Sequence, residues 1–140
     1  MMYYLAGPYT GNEEKNLNLI NHVTIKLMQN GYKIFSPISH GAMILRDGDS
    51  KFLKEQGGTY HNWEALNFTI LDKACDAMIV IQTDDQRTAN SQGTTREILF
   101  AKSINKVIYW VNENGEFLSQ EKSQELTGSY EPEEVEFPRL

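Results

Sequence analysis

Cysteine occurs once in the 140 residues, at Cys75, so an intrachain disulfide is impossible and a cysteine-based metal site is disfavoured. Cys75 precedes an apolar run and reads as a small buried hydrophobe rather than a nucleophile. Positive charge is also short: 13 Lys and Arg stand against 19 Asp and Glu, a net charge of −6. That balance argues against nucleic-acid or membrane-surface partners, which favour basic patches. An anionic ligand would need local help from backbone amides, hydroxyls or a few cations. No apolar stretch approaches the roughly 18 residues of a membrane span, and Met1 leads directly into a strand-like run. The expectation is a cytoplasmic chain without a signal peptide. Histidine occurs three times, at His22, His40 and His61, without metal-ligand spacing. The turn Gly7-Pro8-Tyr9-Thr10-Gly11 lacks the Gly-Lys-Ser/Thr of a Walker loop and is no Gly-x-Gly-x-x-Gly, so NAD is a poor candidate. Ser91 lacks the Gly-x-Ser-x-Gly frame of a nucleophile elbow.

What remains is an ordinary globular composition, 40% hydrophobic and 23% charged, at a length that fits one domain spanning residues 1–140. Met2 to Ala6 reads as the first strand, ended by Gly7-Pro8. From Glu13 to Asn30, Leu17, Ile20, Val23, Leu27 and Met28 form a mostly helical stripe, with Gly31 as its C-terminal cap. Tyr32 to Phe35 is a second strand, and strand–helix–strand at this length is a parallel βαβ unit. Ile38 to Tyr60, with Gly41, Gly48, Gly57, Gly58 and the charged run Arg46 to Asp49, reads as a long irregular segment. A helix over His61–Ala74, a strand over Cys75–Ile81, a helix over Thr94–Ile104 and a strand over Lys106–Val111 follow. Phe117–Leu126 is a further helix candidate, and Tyr130–Leu140 an acidic tail. The alternation predicts a doubly wound Rossmann- or flavodoxin-like α/β sandwich with a parallel sheet of four to five strands.

In such folds the ligand lies outside the carboxyl ends of the strands. Three stretches converge on that edge: Tyr4 to Gly11, Ser36 to His40, and Gln82 to Glu97. His40 is the one histidine well placed for a site there. Ser91 or Thr94 can cap the helix that follows, Gly93 permits close approach of a ligand, and Glu97 falls in its first turn, where its charge suits the macrodipole. A well-capped helix with a convenient glutamate explains these residues without any chemistry. The chemical alternative is that Glu97, facing an apolar-walled crevice, attacks an electrophilic carbon. Sugar C1′ is such a carbon, because a carboxylate stabilises its oxocarbenium-like transition state. Tyr4 or Tyr9 would orient the carboxylate.

Tyr4-Leu5-Ala6-Gly7-Pro8-Tyr9, Phe35-Ser36-Pro37-Ile38, Ala74-Cys75-Asp76 and Ser91-x-Gly93-x-x-x-Glu97 together resemble the nucleoside 2-deoxyribosyltransferase superfamily. The likeness is to its short phage and bacterial members and to the related 2′-deoxynucleoside 5′-phosphate N-hydrolases. The resemblance implies that Glu97 is the nucleophile that takes the sugar from its base and that Tyr4 positions it. It implies a substrate lying between the Gly7, Pro8, Tyr9 and Gly11 turn and the Ser91, Gly93 and Thr94 helix start, with no metal or organic cofactor. It also implies a homodimer or higher homo-oligomer, in which Tyr109, Trp110 or the tail of a neighbour contributes. Transferases carry an aspartate where this chain has Ser91, and the nucleotide hydrolases a serine that holds the 5′-phosphate, so N-hydrolysis is favoured. One departure stands out: where the family has an aspartate on the helix before the third strand, this chain has Phe68, so either a one-residue insertion lets the neighbouring Asn67 fill that catalytic role or the acid is missing. An asparagine hydrogen-bonds but gives no proton at neutral pH. Arg87 reads as an exposed loop arginine or a phosphate ligand. The leading expectation is cleavage of the N-glycosidic bond of a (deoxy)nucleoside or its 5′-monophosphate. Base exchange, a non-catalytic nucleotide sensor and a structural α/β interaction module are the alternatives.

Overall fold

The computed structural model describes residues 1–48, 60–131, 136–137 and 140, with the side chains of residues 45 and 60–62 excepted. Four strands, β1 (Met2–Ala6), β2 (Lys33–Phe35), β3 (Ala77–Ile81) and β4 (Val107–Val111), form one sheet in the order β2-β1-β3-β4. All three pairings are parallel, with Tyr4 opposite Phe35 on one side and Met78 on the other. β3 is apolar and buried at every position, as a central parallel strand covered on both faces must be.

Period-2 alternation sends side chains to two separate cores. On one face Leu5, Ile79, Ile81 and Val111 pack against Ile20, Val23 and Leu27 of α1 (Glu13–Gln29). Asn16 completes the buried stripe of that helix, whereas Ile25 and Met28 are exposed. On the other face Tyr4, Met78, Val80 and Trp110 meet Phe68 and Leu71 of α3 (Tyr60–Lys73), and Ile98, Phe100 and Ala101 of α5 (Gln92–Ser103). Cys75 joins this core at 2% exposure, and burial pushes its thiol up to about 11. Asp76 anchors the opposite edge, accepting a hydrogen bond from the Met2 N–H at 2.7 Å.

Several boundaries differ from the sequence expectation. The segment expected to be irregular from Ile38 begins with an 11-residue helix, α2 (Pro37–Asp47). Ser36 caps it by accepting from the Ser39 N–H at 3.4 Å, and Pro37 sits at its start, where the missing N–H costs nothing. Gly41 lies within it, where a Cβ would stand 3.7 Å from the Trp63 ring, an ordinary van der Waals contact. Arg46 and Asp47 belong to its last turn and Gly48 is its cap, while Asp49, Gly57 and Gly58 lie outside the described residues. The loop after β3 contains a short helix, α4 (Arg87–Asn90), and α5 starts at Gln92, two residues sooner than expected. Glu97 is therefore in its second turn, and the protein interior rather than the helix end dominates its surroundings. The last helix, α6, spans Gln120–Gly128, and Phe117 forms an antiparallel bridge with Val111 instead of starting it. The described sheet has four strands.

Candidate active site

The sheet order reverses between β1 and β3, and the crevice above that point is where a doubly wound sheet holds its ligand. A cavity of about 500 Å³ opens there. Its walls are Gly7, Tyr9 and Thr10 from the turn after β1, Pro37, Ile38, Gly41 and Ala42 from α2, Trp63, Glu64, Asn67 and Phe68 from α3, and Asn90 through Glu97 (less Thr95) from the end of α4 and the start of α5. A groove of about 610 Å³ beside Tyr3, Tyr32, Tyr109 and Phe117 offers no carboxylate, lysine, arginine or histidine, and so has little to work with chemically.

Each wall is held by local physics. Gly7 is needed where the chain leaves β1, because a Cβ would come within 3.3 Å of Ile81 Cδ1 and 3.4 Å of Ile20 Cγ1. Gly11 closes the turn at φ +99°, a region that favours glycine. Buried Asn16 donates from Nδ2 to the Tyr9 carbonyl at 2.9 Å and accepts from Arg87 Nη1 at 2.8 Å. Arg87 also pairs with Asp85 at 2.9 Å and with Glu113 at 3.1 Å. Its side chain is only 15% exposed, which corrects the expectation of an exposed loop arginine. It is a tether that ties the β1 turn to the loops after β3 and β4. Thr88 closes the same loop by donating to the Ile81 carbonyl at 2.7 Å.

Glu97 sits at the cavity floor. The Tyr4 hydroxyl, fully buried on the central strand, donates to its Oε2. One side of Glu97 faces the cavity and the rest is enclosed by protein. That enclosure pushes its pKa up to about 8; the Tyr4 hydrogen bond opposes the rise and the Glu64 carboxylate adds to it. Glu64 is buried and accepts two hydrogen bonds from Arg96, at 2.7 Å from Nε and 2.9 Å from Nη2. Ser91 caps α5, its Oγ accepting from the Thr94 N–H at 3.2 Å. Buried Oγ1 of Thr94 and Oδ1 of Asn67 have no hydrogen-bond partner among the described residues. Two orphaned polar atoms among its lining residues make the site better suited to a polar ligand than to an apolar one.

Glu97, Asn67, Gly7, Tyr9, Ser91, Gly93 and Thr94 thus all line one cavity, and Tyr4 stands behind Glu97. Pro8 and Gly11 shape the turn without lining it. His40 is exposed on α2, its ring 6.1 Å from Phe35 and 6.5 Å from Trp63, outside the lining. His22 is exposed, and the His61 side chain lies outside the described residues. Trp110 is 1% exposed and donates to Thr127 Oγ1 at 3.0 Å within its own chain, so it is a core residue. Sequence reasoning missed Glu64, Arg96 and Asn16 as site residues. A signal existed for Glu64: it stands three residues before Asn67, hence on the same helix face.

No described helix is long and apolar enough to cross a membrane. Among curated proteins, none matches the sequence. Among solved structures, the chain is similar to a 2-deoxyribosyltransferase from the psychrotolerant bacterium Bacillus psychrosaccharolyticus, at 19% identity and a TM-score of 0.50, over 88% of this chain and 82% of that one. At that identity the likeness shows a shared fold. The family model that matches residues 1–110 is described as "Domain of unknown function (DUF4406)", and the chain belongs to that family.

Proposed function

We propose that the protein cleaves the N-glycosidic bond of a (deoxy)nucleoside or its 5′-monophosphate through a covalent glycosyl–Glu97 intermediate, with hydrolysis favoured over transfer to a second base. The observation that carries this reading is the Tyr4–Glu97 hydrogen bond at the floor of the switch-point cavity. It fixes one carboxylate oxygen and leaves the other for a reacting carbon. A cavity of about 500 Å³ also has room for a nucleotide.

In the reaction, a carboxylate oxygen of Glu97 bonds to C1′ while the C1′–N bond breaks and its electron pair leaves with the base. Asn67 has no proton to give and both Glu64 oxygens accept from Arg96, so the departing nitrogen takes its proton from solvent. Water then attacks C1′ and loses its proton to solvent, the bond from C1′ to the Glu97 oxygen breaks with its electron pair returning to that oxygen, and the Glu97 carboxylate is restored as sugar is released. Ser91 Oγ and the first-turn N–H groups of α5 that its cap does not already occupy would hold a 5′-phosphate, since those N–H groups lack intrahelical acceptors. Only the ionised glutamate is a nucleophile. With its pKa near 8 in the empty site, turnover at subsaturating substrate should rise with pH up to about 8.

The test is incubation with a panel of nucleosides and 5′-monophosphates, with and without a second base. Free base alone indicates a hydrolase, and a new nucleoside a transferase. Glu97→Gln should abolish turnover while the protein stays folded; retained activity in that variant sinks the proposal. A second reading, nucleotide binding without catalysis, draws on the amide at Asn67 and the largely protonated Glu97 at neutral pH. Tight binding with no base released on long incubation would select it.

A further inference from the structure

The family model ends at residue 110, yet the chain beyond it returns to the cavity. After α6, Lys102 Nζ near the end of α5 donates to the carbonyls of Thr127 at 3.2 Å and Tyr130 at 2.6 Å. Glu136 and Phe137 then lie against the beginning of the same helix: the Glu136 carbonyl accepts from Arg96 Nη2 at 2.7 Å, and the Arg96 guanidinium stands 5.6 Å from the centre of the Phe137 ring. The chain after α6 thus touches α5 at two places, beside Lys102 near its end and beside Arg96 near the cavity. Phe137 also meets Phe68 and Phe100 edge-on, at 5.8 and 5.4 Å, against a pair of rings stacked 4.2 Å apart. Phe68 is itself part of the cavity wall.

Arg96 is therefore gripped from two sides. On one side is the buried Glu64 carboxylate, with its side chain only 2% exposed; on the other are a carbonyl and an aromatic face contributed by the tail. A guanidinium is suited to this, because its planar fork pairs with a carboxylate while its flat face stacks on a ring. Breaking a pair buried as deeply as this one by removing one partner is strongly destabilising, so whatever holds Arg96 in place also holds Glu64. Its charge is felt at Glu97, whose pKa it helps to raise.

We propose that Glu136 and Phe137 are positioning residues: the tail holds Arg96 against Glu64 and thereby sets the charge and shape of the cavity wall facing the ligand. The proposal rests on the reading of the cavity as a nucleotide site and assigns part of its control to residues outside the family domain.

The test is a double-mutant cycle in the full chain, reading the dissociation constants of the four 2′-deoxynucleoside 5′-monophosphates by calorimetry. Phe137→Ala should weaken binding about tenfold, whereas in a Glu64→Gln background it should have no further effect, a coupling typical of residues in one network. Phe137→Leu, which keeps an apolar anchor if the alanine variant fails to fold, should weaken binding less, and its loss should likewise vanish in the Glu64→Gln background. Equal losses in both backgrounds, or no loss at all, overturn the proposal. If the unaltered protein binds none of the four nucleotides, the nucleotide reading of the cavity fails. The same cycle read by urea denaturation then decides the strap: non-additive effects of Phe137→Ala and Glu64→Gln support it, and additive effects overturn it.

Discussion

At the scale of single residues, the site's main expense is an acid kept where an acid is poorly solvated. Because the pKa of Glu97 is raised from 4.5 to about 8, the folded protein holds a proton there that the unfolded chain has lost. The sign follows: stability from this group is greatest below about pH 4.5 and declines as pH climbs towards 8. Glu97→Gln keeps the shape and an oxygen for Tyr4 but cannot ionise. Chemical denaturation across pH should find the variant more stable than the parent protein above pH 8, by on the order of 3 kcal/mol, and little different at pH 4. An equal stability difference at both pH values would mean that Glu97 is not the buried acid described here. Legibility at this scale was uneven. Tyr4 and Glu97 came from motif resemblance, and the structure joins them by a hydrogen bond. Glu64 and Arg96 were not singled out, because a buried ion pair leaves no periodic trace and its partners sit on different helices, joined only by tertiary packing.

At the scale of elements, caps decide where walls begin. Ser91 closes the N-terminus of α5, and the loss of such a cap typically costs about 1 kcal/mol. Ser91→Ala should therefore lower stability by about that amount. On the nucleotide reading it should also raise KM for a 5′-monophosphate while leaving the unphosphorylated nucleoside unchanged; equal effects on both would remove Ser91 from the phosphate subsite. The strands and α1, α3 and α5 were legible because each buries a regular stripe, such as Asn16, Ile20, Val23 and Leu27 in α1. The helix α2 was not, since Gly41 and a charged end look like loop; its evidence lay in Ser36-Pro37, a cap followed by a first-position proline.

At the scale of the whole molecule, three connections depend on Arg87, which reaches α1 through Asn16, its own loop through Asp85, and the loop after β4 through Glu113. Arg87→Ala would leave buried Asn16 without that partner, and stability should fall by roughly 1–3 kcal/mol. Trypsin should then cut the loop after β3 sooner than in the parent protein; unchanged digestion and an unchanged denaturation midpoint would deny the tether its role. The parallel α/β sheet, and with it the expectation of a site at the carboxyl edge of its strands, followed from the alternation of elements alone. The tether did not, because its partners are brought together only when all four strands have assembled.

Of the four described strands the one carrying Tyr4 is made before the others, yet it lies inside the sheet, and about seventy residues separate it from its neighbour β3. During synthesis β1 can pair with β2 at once, but its other edge stays open until β3 emerges. Pairings that distant in sequence are slow to form. The nascent chain thus passes through an interval with an unpaired apolar strand edge exposed, an invitation to association with other unfinished chains. Yield in a heterologous host should depend on translation speed and chaperone supply more than the finished fold would suggest.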